Sequence, residues 1–315
     1  MVGPAPTLPG ILGASAPKIN NADMKSYGWE MELSWRDRIE DFNYGVRFTL
    51  ADGQRKVLKY PNESGDIYSW YNNKLDGTIW GYTTVGIAQT QEEMDAHLAN
   101  NKPNWGSNWG AGDIMYADLN GDGEVTSGSK TLNDHGDLKV IGNSYARYNF
   151  GFTVDGSWRG LDFSIFLQGT MKRDYWLDGP YFWGASGDEW QSACFTEHLD
   201  YWTPEHTNAY YPKPYFGNIK KNQEVQSGYL QNAAYLRVKN VQVGYTLPKS
   251  WTKKAAMESV RFYVSGDHLL TWTGISSIFD PETLGGDWGP GKLYPLQRTL
   301  SVGVLSLIHI SEPTR

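Results

Sequence analysis

The chain has 315 residues, enough for one large or two ordinary domains, and carries 28 Lys and Arg against 35 Asp and Glu. The formal charge of −7 excludes a general nucleic-acid binder, which would present a basic surface. A single cysteine, Cys194, excludes an internal disulfide framework and a cysteine-built zinc cluster, and no apolar run is long enough for a transmembrane helix. None of this excludes a transmembrane β-barrel, which needs neither.

The N-terminal stretch Met1 to Gly10 lacks a basic region, is broken by prolines and is no signal peptide. Period-two alternation then predicts strands in order. Trp29 to Arg36 sets large apolar residues against polar ones, as do Phe42 to Leu50 and Tyr148 to Asp155. A fourth run puts Leu161, Phe163, Ile165 and Leu167 on one face, with Phe166 an exception. A fifth runs through Leu236 and Val238 and continues with Val241, Val243 and Tyr245; the phase slip near Asn240 predicts a β-bulge. Val260, Phe262 and Val264 define a sixth, and Leu300, Val302 and Val304 a seventh.

Short and long connections alternate. Asp37 to Asp41, Gly156 to Gly160 and Pro248 to Ser259 are short; Ala51 to Arg147, Met171 to Ala234 and Leu269 to Gln297 are long. In an up-and-down antiparallel sheet the short turns then fall at one end and the long loops at the other, the layout of outer-membrane barrels. The fold class expected is therefore all-β: the C-terminal part, about seven strands, of a transmembrane β-barrel with long extracellular loops. A soluble secreted β-sandwich that binds carbohydrate is the competing reading.

The stretch Asp118 to Thr126, followed by Val140 to Ser144 and Arg147 to Gly151, resembles the C-terminal portion of SusC/RagA-type TonB-linked outer-membrane proteins of Bacteroidota. Leu161 to Gly169, Ala234 to Pro248, Asp280-Pro281-Glu282, Tyr294-Pro295 and Tyr27 to Glu30 continue the resemblance. It implies a nutrient importer of the cell outer membrane, a 22-strand barrel, and partners that include a SusD-like surface lipoprotein, the TonB complex, outer-membrane lipid and a glycan or peptide substrate. It implies no nucleic acid and no enzyme. The family's signal peptide, plug and TonB box have no counterpart here, so residues 1–304 are expected to be a barrel portion. Residues 305–315 look like translated sequencing-adapter DNA and are expected to be a non-native tail.

Asp118-x-Asn120-x-Asp122-Gly123 matches the first half of an EF-hand-type loop. Oxygen ligands at positions one, three and five suit Ca2+, Glu124 would add a backbone carbonyl, and Gly permits the turn. Position twelve is Ser129, so Asp134 or Asp137 would have to supply the last carboxylate. The competing reading is a metal-free turn cluster. Aromatics crowd the long loops, and Trp70, Trp80, Trp105, Trp109, Trp176 and Trp183 are the ligand-contact candidates, with Tyr201, Trp202, Tyr210 and Tyr211 in the same loops. Flat rings flanked by Asp, Asn and Gln suit carbohydrate. Asp188-Glu189 and Glu197 could make a glycosidase pair, but no spacing in the sequence supports one. Catalytic residues are expected to be none.

Overall fold

The computed structural model describes residues 2–3, 11, 13, 19–184, 194–215, 220–285, 289 and 291–308. Seven long strands form one antiparallel sheet in chain order: β1 Asp23–Ile39, β2 Phe42–Lys59, β3 Arg147–Trp158, β4 Leu161–Lys172, β5 Gln231–Thr246, β6 Met257–Gly274 and β7 Thr299–Ile308. Asp174–Tyr175 adds a short pairing beside β5. Each neighbour is the next strand in sequence, which is the meander that the connections predict. Among the described residues β1 and β7 do not pair with each other, so the sheet stays open.

The registered pairs carry the alternation across the whole sheet. Met31, Leu33 and Trp35 pair with Leu50, Phe48 and Val46, which pair with Phe150, Phe152 and Val154. The row continues through Leu167 and Ile165, then Val238, Val241 and Val243, and reaches Val264 and Val302. Directly paired residues share a face, so this is one apolar surface. It is uncovered: Leu33 is 58% exposed, Trp35 63% and Val302 83%. The opposite face reads Glu32, Thr49, Gly151, Gln168, Arg237 and Thr271 along one row. Its charges pair across strands, Glu32 with Arg47 at 2.8 Å and Asp162 with Arg261. Arg261 reaches Asp162 over Gly244, where a Cβ would lie 2.3 Å from its guanidinium.

The strands run further than expected: β2 reaches Lys59 and β6 reaches Gly274, where the alternation places loops from Ala51 and from Leu269. The first two turns hold only two residues, because Ile39–Phe42 and Trp158–Leu161 still pair. At the second turn Arg159 and Gly160 have φ of 46° and 91°, the double positive φ of the tightest hairpin turn. The bulge lies at Lys239, beside Asn240: Phe166 pairs with Asn240 and Leu167 with Val238, and the extra residue returns both Val238 and Val241 to the apolar face. The seventh strand runs past Val304 to Ile308, pairing with β6 as far as Met257. Residues 309–315 of the expected tail lie outside the described residues.

The buried core is not under the sheet. Ile67, Tyr82, Ile114, Tyr116, Val125 and Leu138 from the first long loop pack with Leu177, Phe182, Trp183, Tyr211 and Tyr229 from the second and Phe279 and Leu284 from the third. The three loops thus fold into one cap at one end of the strands. A two-turn helix within it, α1 (Gln91–Leu98), starts on Thr90, whose hydroxyl accepts from the Glu93 N–H at 3.1 Å.

Candidate functional site

Two polar knots hold the cap together. The first joins the first and second loops. Asp113 and Lys221 are fully buried and meet at 2.6 Å. The Asp113 carboxylate also accepts from the Gly110 N–H at 2.7 Å, the Asn222 amide at 2.9 Å and the Tyr215 hydroxyl at 3.2 Å. Lys221 donates to the Asn108 carbonyl at 2.6 Å and lies 4.1 Å from the Tyr215 ring centre. Burial pushes its pKa down, and Asp113 opposes that.

The second knot ties the third loop to the polar face of β5. Arg237, 3% exposed, binds Asp280 at 2.8 Å and Glu282 at 2.9 Å, while Lys239 binds Glu282 at 2.6 Å. The Asp280-Pro281-Glu282 and Leu236-Arg237-Val238-Lys239 motifs are therefore the two halves of one contact. Their juxtaposition is legible only in three dimensions.

Between the second and third loops lies a cleft of about 360 Å³. It is lined by Thr196, Glu197, Asp200, Tyr210, Tyr211, Gln231, Gly274, Ile275, Ser276 and Ser277. Tyr210 is 43% exposed. Its hydroxyl accepts from the Gln231 amide at 2.9 Å, and its ring meets Tyr211 edge-on at 4.8 Å. Glu197 accepts from the Ser277 hydroxyl at 3.0 Å. Its own backbone N–H, then Ser277, holds its carboxyl below the ordinary value, so it is an acceptor at neutral pH. Asp200 pairs with His206 at 2.7 Å.

None of the six tryptophans singled out in the sequence lines this cleft. Trp105 stacks on Tyr82 with ring centres 4.6 Å apart and meets Trp109 and Tyr116 edge-on. Trp80 donates to the Tyr71 hydroxyl at 3.3 Å, and Trp176 packs on Trp183, which is 6% exposed. Trp70 flanks a small pocket beside Tyr60 and Val57. Large rings supply area, and the cap uses that area for its core. The cleft draws instead on Tyr210, Tyr211 and Glu197, which sequence reasoning marked, and on Gln231, Ser276 and Ser277, which it missed because polar residues at strand ends carry no signal of their own. Asp188 and Glu189 lie outside the described residues.

The Asp118–Glu124 loop folds on its own carboxylates. Asp118 accepts from the N–H groups of Asn120, Gly121 and Gly123 at 3.0, 2.7 and 2.8 Å. Asp137, fully buried, accepts from the Leu119 and Thr126 N–H groups at 2.6 and 2.7 Å. Asp134 binds the N–H and hydroxyl of Ser129 at 2.9 and 2.5 Å. Among the described residues no group of three or more His, Cys, Asp or Glu side chains converges. Asn120 and Asp122 are adjacent, with the amide donating at 2.9 Å.

No family model matches the chain. It is 25% identical to the TonB-dependent receptor P3 of Formosa agariphila, over 94% of its own length and 30% of that protein's. It is 22% identical to the TonB-dependent receptor SusC of Bacteroides thetaiotaomicron, over 90% of its own length and 26% of that protein's. Its fold matches the structure of the RagAB peptide transporter with a TM-score of 0.65 and 21% identity, over 95% of this chain and 31% of that one. The RagAB peptide importer in its open-open state gives 0.66. The chain spans about a third or less of the relatives it matches. On a similarity that runs through nearly all of its length in both sequence and fold, it is a homologue of the SusC/RagA-type TonB-dependent receptors and corresponds to a seven-strand portion of their β-barrel.

Proposed function

We propose that the chain forms part of the wall of an outer-membrane importer, with its apolar face against lipid, its polar face toward the lumen and its three long loops outside the cell. The observation that carries this is the uncovered apolar surface registered across seven strands. A soluble β-sandwich would bury such a face under a second sheet. Strand length agrees: the apolar run on β2, from Phe42 to Leu50, matches the roughly 9–11 residues a tilted strand needs to cross a bilayer. The whole protein's work would be TonB-driven uptake, with a SusD-like lipoprotein over the mouth. This part of it contributes a sealed wall and a loop cap, and no catalysis.

The cargo in this reading is an oligosaccharide, which the tyrosines and mixed donors and acceptors of the cleft suit. A peptide is the competing cargo, since the structural neighbour RagAB is a peptide transporter. Calcium at Asp118, Asn120, Asp122 and the Glu124 carbonyl would stiffen the first loop. Its support is the one-three-five spacing of these oxygens in the sequence and the sharp turn at Gly121 and Gly123, whose φ are 80° and 88°. Calcium titration followed by the Gly123 amide shift tests it, and an unmoved shift at millimolar calcium refutes it.

Cys194 is the chain's single cysteine and is exposed in the second loop. A membrane-impermeant maleimide should label it on intact cells that make the protein. Labelling only after lysis would overturn the orientation. Solubility of the purified chain without detergent would overturn the membrane reading.

A further inference from the structure

We propose that the cleft at Tyr210 is a carbohydrate subsite that seats one pyranose ring, stacked on the Tyr210 face with its hydroxyls on Glu197 and Asp200. This rests on the glycan reading of the cargo and gives that reading a place.

Three features of the cleft carry it. First, the ring is fixed before any ligand arrives. The Gln231 amide holds the Tyr210 hydroxyl, the Tyr229 hydroxyl donates to the Tyr210 carbonyl at 2.6 Å, and Tyr211 and Tyr229 brace the ring edge-on at 4.8 and 5.5 Å. A pre-set platform loses little entropy on binding. Second, the lining alternates acceptors and donors. Glu197 and Asp200 are acceptors, the Ser276 hydroxyl can donate, and the Thr196 and Ser277 hydroxyls, which donate to Glu197 at 3.1 and 3.0 Å, can turn to a ligand. A polyhydroxyl ring uses both kinds; a cation would use only the first. Both carboxylates also have partners already, Ser277 and His206. Third, about 360 Å³ lies at the small end of ligand cavities, which suits one ring of a longer chain. A peptide finds little here. Among the described residues no lysine or arginine lines the cleft to take a carboxylate, and the one aliphatic side chain, Ile275, is committed to the cap core.

The test is calorimetric titration of the full chain in detergent micelles with neutral oligosaccharides of several linkages and with trilysine. At least one neutral oligosaccharide should bind, with an affinity that salt leaves unchanged. Tyr210→Ala should weaken it roughly tenfold or more. Tyr210→Phe keeps the stacking face and should stay within a few-fold, which separates loss of the platform from loss of the fold. Glu197→Gln should weaken binding, and Glu92→Gln on α1 should not. Oligosaccharide binding that survives Tyr210→Ala would overturn the subsite and leave the glycan reading standing. Binding of trilysine alone, or of nothing, would overturn both.

Discussion

The Asp113–Lys221 pair makes a demanding prediction, because both side chains are fully buried. Asp113→Asn keeps the shape and removes the charge. Lys221 is then left in the cap with only the Asn108 carbonyl and the rings of Tyr215 and Trp109 around it. Breaking one side of a buried pair costs about 3–5 kcal/mol, so opening of the cap should become roughly 10²- to 10⁴-fold more frequent. Lys221→Met should cost less, because Asp113 keeps three neutral donors from Gly110, Asn222 and Tyr215. The double variant removes both charges at similar volume and should recover most of the loss. Hydrogen exchange of the amides around 110–116 and 220–226 is the assay. These segments belong to different loops and should deprotect together, while β3 and β4 stay protected. A cost under about 1 kcal/mol for Asp113→Asn, or additive effects in the double variant, would show that the pair does not hold the loops together.

Phe152→Arg places a charge in the middle of the apolar face, between Phe48 and Leu167. It should destabilise the sheet in lipid by about 2–4 kcal/mol, against under about 1 kcal/mol for Thr153→Arg on the other face, measured by urea unfolding in vesicles; equal costs would contradict the assignment of faces. Glu282→Gln weakens both Arg237 and Lys239 contacts and should release the third loop to protease, while the second loop stays resistant. Asp118 has its carboxyl held below the usual value, first by the Gly123 N–H and then by those of Gly121 and Asn120. Its contribution is present above the ordinary 3.8 and is lost as the pH falls through the lowered value. The Gly121 and Gly123 amide shifts should therefore move below pH 3.8, and Asp118→Asn should abolish that transition.

Much of the barrel is legible in the sequence because each strand carries its own instruction. Trp29 to Trp35 alternates without help from any neighbour, and a one-residue slip would turn every side chain to the wrong face. Even the bulge is visible, since the phase of Val238 against Val241 can be satisfied only by an extra residue. The turns are shorter than the alternation suggests, because Asp37, Arg38 and Ser157 are polar and polarity marks a turn and a polar strand end alike. The loop cap is far less legible. Its contacts join residues about a hundred positions apart, Asp113 to Lys221 and Tyr116 to Gln226, and no periodicity connects them. Trp105 looks the same in sequence whether it faces a ligand or packs on Tyr82. Only burial separates the two, and burial depends on the fold of three loops at once.

The location of the core follows from the solvent of each part. A strand whose outward residues are Leu33, Phe48, Phe152 and Val264 gains nothing from a protein layer on that side if lipid already covers it, so the sheet needs no core of its own. The five inner strands pair their backbones on both sides, which is what crossing hydrocarbon requires of each; β1 and β7 each keep one open edge among the described residues. The loops face water and have no such cover. Long loops cannot leave their backbone groups unpaired and stay ordered, so they build a water-soluble core from the aromatics they carry in excess. The two parts then have to be joined, and Arg237 and Lys239 do this from the polar face of β5. A hydrophobic joint there would face the lumen side of the wall, where water competes for every contact. Paired charges at the foot of the third loop keep that face polar and still fix where the loop, and the cleft beside it, stands over the strands.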